Sequence, residues 1–127
     1  MKGIRVEPHE FTWSVATPEA RKKLAQVRRE VGERAYEASK QTLQRLLCSY
    51  INSGDLTKEL GDTISPIGGG DGGEHRFKVR CGLPGQGKSG GLRLAVGVNL
   101  STRFVRIVFV ANRSDNPSIE SMNDAFE

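Results

Sequence analysis

Arg76-Phe77-Lys78-Val79-Arg80-Cys81 alternates cation and apolar side chain without a break. Successive side chains of a strand point to opposite faces, so this stretch predicts a strand with Phe77, Val79 and Cys81 on one face. Arg76, Lys78 and Arg80 then form a row on the other face, spaced by roughly 7 Å. Like charges in a row repel, so such a row asks for counter-ions or a polyanion. Downstream, Leu92, Leu94, Val96 and Val98 alternate with Arg93, Ala95 and Gly97, which predicts a second strand. Phe104 to Ala111 is apolar on both faces except for Arg106, as in a covered central strand. Short turns between the three predict an antiparallel meander.

Upstream the period changes from 2 to 3.6. Thr17-Pro18-Glu19 is a helix start, with a hydroxyl cap, proline at the first position and an acid in the first turn. Ala20, Leu24, Val27 and Val31 share one helical face, and Gly32 ends or bends that helix. A second helix runs from Ala35 to Tyr50 with Leu43, Leu46, Leu47 and Tyr50 as its stripe. Asn116 to Glu120 starts a short C-terminal helix carrying Met122, Ala125 and Phe126. The expected fold is α+β, with N-terminal helices packed on one face of a small antiparallel sheet. At 127 residues the chain is expected to form a single domain. Its segments are an arm over 1–16 with room for a short strand, a helical part over 17–53 and a glycine-rich loop over 54–73. The strands occupy 74–114 and the tail 115–127.

The 36 % of hydrophobic residues suffices for one modest core. No run approaches the roughly 18 apolar residues of a membrane span. No apolar stretch of signal-peptide type follows Met1, and Cys48 and Cys81 are too few for a disulfide framework, so the expected compartment is the cytoplasm. The formal charge of +4 conceals a block: residues 75–113 hold eight cations and no acid, whereas 54–74 and 114–127 are both net acidic. An acid-free block of this kind is the footprint of a protein that binds a polyanion, or a solvated surface neutralised from elsewhere in space. It also removes any paired-carboxylate or Ser-His-Asp site there. His9, His75 and the two cysteines read as surface and core residues respectively. Gly82 to Ser89 matches the phosphate-loop pattern GxxxxGK[ST], but turn and strand follow it where that loop requires a helix.

Residues Phe77 to Leu94, with Lys78-Val79-Arg80 followed by Gly87-Lys88-Ser89-Gly90-Gly91-Leu92-Arg93, resemble the RelE/ParE superfamily of toxins, in its RelE-like and HigB-like branch. Val108 to Arg113 extends the likeness. These toxins belong to type II toxin–antitoxin modules. The resemblance implies metal-independent cleavage of messenger RNA on the translating ribosome, leaving a 2′,3′-cyclic phosphate. It implies no cofactor, a cognate antitoxin as partner in a hetero-oligomer, and no membrane association. Carried over by position, Lys78 is the base candidate, and Arg93 and Arg113 are phosphate ligands in the catalytic set. Arg76, Arg80, Lys88 and Arg106 are RNA or phosphate contacts. Several such nucleases have a tyrosine near the C-terminus, whereas the only aromatic residue of this tail is Phe126, so the general acid is unassigned. The alternatives are a non-enzymatic DNA gyrase inhibitor of ParE type and a degenerate toxin fold that only binds its partner.

Overall fold

The computed structural model describes residues 5–69, 71–83 and 91–127. The Thr17 cap is present: its hydroxyl accepts the Ala20 N–H at 3.1 Å and opens α1 (Pro18–Val31). Gly32 separates it from α2 (Glu33–Asn52). The alternating stretches form β3 (Glu74–Cys81), β4 (Leu92–Asn99) and β5 (Phe104–Asn112), an antiparallel meander. The tail ends in α3 (Ile119–Asp124), capped by Ser118.

Two further strands make a five-stranded sheet, and both correct the sequence expectation. β1 (Thr12–Val15) lies in the N-terminal arm and pairs with β5 in parallel, so the sheet is mixed and not purely antiparallel. The arm is held from a distance: Asn52, at the end of α2, exchanges hydrogen bonds of 2.8 and 3.0 Å with the Val6 backbone. β2 (Ile64–Gly69) lies inside the expected glycine-rich loop and pairs with β3. Its Pro66 and its irregular register near Gly68 are tolerated because β2 is an edge strand. The spatial order is β1-β5-β4-β3-β2.

One face of the sheet packs against α1 and α2. Phe77, Val79, Leu94, Val96, Val98 and Val105 are buried there with Val27, Leu47 and Tyr50. The Tyr50 ring meets Phe77 edge-on at 5.3 Å. Burial pushes the Cys48 thiol up to about 11 and the Cys81 thiol in the same direction, so both favour the inert thiol form. His9 and His75 are exposed.

The opposite face is not left bare. Met122 and Phe126 of the C-terminal segment bury against Ala95 and Val108 in a second, smaller core. The β4–β5 register shifts here, with Ala95 opposite Phe109 and Val96 opposite Ile107, which leaves Val108 as a bulge. The Thr17 hydroxyl donates to the Val108 carbonyl at 2.9 Å, so the cap of α1 also satisfies a carbonyl at the bulge.

Gly97 of β4 leaves the space the Glu74 carboxylate occupies, because a Cβ there would overlap it. Gly97→Ala should therefore destabilise the fold by about 1–3 kcal/mol in chemical denaturation. In a Glu74→Ala background the added cost should shrink, which a double-mutant cycle measures.

Candidate nucleic-acid interface

The face turned away from α1 and α2 is built in rows across the strands. Arg76 pairs in register with Gly97, which pairs with Arg106; Lys78 pairs with Ala95; Arg80 pairs with Arg93, which pairs with Ala111. The predicted basic row on β3 is therefore present, but its members differ in environment.

At one end the charge is neutralised internally. Arg106 donates to Glu74 through Nε at 2.6 Å and Nη2 at 3.0 Å, and Arg76 donates through Nε at 3.1 Å. The Phe126 ring lies beside both cations, 4.4 Å from the Arg76 guanidinium carbon and 5.3 Å from that of Arg106. Arg106 also donates to the Phe126 carbonyl at 3.4 Å. Glu74 and Arg76 side chains are only 12 % and 15 % exposed. Arg76 and Arg106, expected to contact RNA, both pair with Glu74 and flank Phe126 of the tail. Glu74 stands one residue before the acid-free block begins, so the block alone does not reveal this partner.

At the other end three cations gather, each half-buried. Arg80 and Arg93 sit directly opposite each other, a cross-strand pair that costs stability by itself. Arg113 joins them at the end of β5, where its backbone N–H donates to the Gly91 carbonyl at 3.1 Å. Desolvation, then the neighbouring Arg80 and Arg93 cations, hold the Arg113 guanidinium below its ordinary value, while Asp62 works the other way. The Arg93 Nε is buried with no hydrogen-bond partner among the described residues. A buried donor left unsatisfied costs about 1–3 kcal/mol, which an anion placed there would recover. Lys78 lies one row away, half-buried between Ser65 and Ala95.

Three of the sequence candidates, Arg80, Arg93 and Arg113, thus converge, with Lys78 beside them. Lys88 lies outside the described residues, as does most of the phosphate-loop pattern. The chain leaves β3 at Cys81 and returns at Leu92, which is the cross-strand partner of Cys81. The pattern therefore joins two antiparallel strands and does not lead from strand into helix.

Sequence reasoning missed Asp62. The Leu60 N–H donates to the Ile64 carbonyl at 2.8 Å, and the Thr63 N–H to the Leu60 carbonyl at 2.9 Å. These bonds close a tight turn through Gly61, Asp62 and Thr63, with Gly61 at φ +52°. The Thr63 carbonyl accepts the Arg80 N–H at 2.8 Å, and the Asp62 carboxylate lies 3.1 Å from the Arg80 guanidinium. Gly61-Asp62 is a legible turn signal, but nothing along the chain links it to Arg80.

No protein family, curated protein or solved structure matches this chain. No described helix is long and apolar enough to cross a membrane.

Two outcomes follow for the two ends of the face. Inorganic phosphate should stabilise the protein by about 1 kcal/mol, a midpoint rise of roughly 4 °C, and Arg93→Ala should abolish that rise in thermal unfolding. At the closed end, the Arg106 and Arg76 hydrogen bonds hold the Glu74 carboxyl below the usual carboxylate range. The stability this contributes is complete above the unfolded carboxylate value of about 4.3 and is lost as pH falls through the lower folded value. Glu74→Gln should remove that part of the acid dependence, measured as denaturation midpoints against pH.

Proposed function

We propose that this chain is a toxin of the RelE/ParE type that cleaves messenger RNA on the translating ribosome and is held inactive by a cognate antitoxin. The observation that carries the reading is the convergence of Arg80, Arg93 and Arg113, with the buried Nε of Arg93 lacking a partner among the described residues. Guanidiniums grouped in this way suit a phosphodiester, because their planar N–H forks match its non-bridging oxygens. The sequence resemblance from Phe77 to Leu94 supplies the reaction class.

In that reaction the 2′-hydroxyl attacks the adjacent phosphorus, the bond to the 5′-oxygen breaks, and a 2′,3′-cyclic phosphate remains. Negative charge grows on the phosphorane, where pre-placed guanidiniums stabilise it more than they stabilise the substrate. Arg93 and Arg113 hold the phosphate, Arg80 lies across from Arg93, and Lys78 handles a proton one row away. Arg76 and Arg106 serve the fold. The reaction as proposed uses no metal and no cofactor. An antitoxin segment with acidic side chains over the open end would neutralise the same cations that hold the phosphate.

In a bacterial translation extract the wild-type protein should cut messages at defined positions, mapped by primer extension. Lys78→Ala/Arg93→Ala, shown to be folded by circular dichroism, should cut at least about 100-fold more slowly. A double variant that still cuts at the wild-type rate would overturn the assignment of the site. Intact messages with folded wild-type protein would move the reading to the protein-binding gyrase inhibitor.

A further inference from the structure

We propose that Asp62 is the base of this ribonuclease and accepts the proton of the attacking 2′-hydroxyl. The inference deepens the reading above and rests on it. The Asp62 carboxylate pairs with Arg80 at 3.1 Å, directly across the sheet from Arg93, which places it at the cluster. Its turn is closed by the hydrogen bonds between Leu60, Thr63 and Ile64 and is tied to β3 by the Arg80 N–H. The carboxylate is thereby presented at a defined place, and its side chain is 86 % exposed, within reach of a substrate.

A carboxylate paired with a guanidinium has no proton to give, so at this cluster it acts only as an acceptor. While the site is empty Asp62 occupies the position of an anion on Arg80. An incoming phosphodiester takes over that guanidinium, and the displaced carboxylate is left beside the substrate, where it can receive the 2′-hydroxyl proton. Asp62 takes the 2′-hydroxyl proton, the 2′-oxygen forms its bond to phosphorus, and the bond from phosphorus to the 5′-oxygen breaks. The Lys78 ammonium gives a proton to the departing 5′-oxygen. Lys78 thus becomes the general acid that the tail, lacking a tyrosine, does not supply, and the role that the resemblance implied for it is reversed.

The test separates proton transfer from charge balance. Wild type, Asp62→Asn and Asp62→Glu are compared in the translation extract for cleavage rate. Their affinity for an RNA oligonucleotide carrying a 2′-deoxy substitution at the cut site, which cannot be cleaved, is read by fluorescence anisotropy. Asparagine keeps the size of the side chain, and the site is exposed, so folding should be unchanged. Asp62→Asn should slow cleavage by roughly 100-fold or more while its affinity is equal or tighter, and Asp62→Glu should recover part of the rate. Cleavage by Asp62→Asn within about threefold of wild type would make Asp62 a mere counter-ion and overturn the proposal. So would a loss of affinity parallel to the loss of rate, which would assign Asp62 to shaping Arg80. Wild-type protein that leaves messages intact would instead overturn the ribonuclease reading, and Asp62 as its base with it.

Discussion

The carboxylate of Glu74 lies over the bare backbone of Gly97, between the guanidiniums of Arg76 and Arg106. Three strands meet at this contact, since Glu74 and Arg76 belong to β3, Gly97 to β4 and Arg106 to β5. All of it is largely removed from water, so the carboxylate and the cations depend on each other: taking away one partner of such a cluster costs about 3–5 kcal/mol. Phe126 packs on the outside of the two guanidiniums, and Met122 follows it into the small core formed with Ala95 and Val108. The position of α3 on the sheet is therefore tied to one acid. A helix of six residues has little stability of its own and is held by what it packs against.

This arrangement divides a face that carries cations along its whole length. The end containing Glu74 is closed, its charges satisfied and covered by an aromatic ring. At the other end Arg80 and Arg93 oppose each other, Arg113 adds a third cation, and the exposed Asp62 carboxylate pairs with Arg80. A sheet tolerates such a like-charge cluster when the rest of the domain supplies the stability, and here the large core under α1 and α2 does so. Strain of this kind, concentrated in one place and compensated elsewhere, is where recognition of an anion is expected.

Most elements could be read directly from the residues. The helical stripes of α1 and α2, the Thr17 cap and the alternation in β3 and β4 are signals carried within a few residues of themselves. The arm left room for a short strand but gave neither its bounds nor its partner, and β2 lay in what read as a glycine-rich loop. β1 is four residues long, and its pairing depends on an arm fastened to the far end of α2 through Asn52. β2 contains Pro66 and two glycines and is a strand because β3 offers it a paired edge. The direction of β1 was equally hidden, since parallel pairing to β5 follows from where the arm docks.

The sequence alone determined that Arg76, Lys78 and Arg80 share a face, that Phe77 and Val79 share the other, and that apolar helices cover the latter. These are consequences of periods of 2 and 3.6, which are written along the chain. Only the tertiary structure decided which acids meet which cations. Glu74 reaches Arg106 across β4, and Asp62 reaches Arg80 from the turn that precedes β2. Ion pairs and hydrogen bonds act over a few ångströms of space and take no account of distance along the chain, so the residues that quench a charge cannot be found from the charge's own neighbours in sequence.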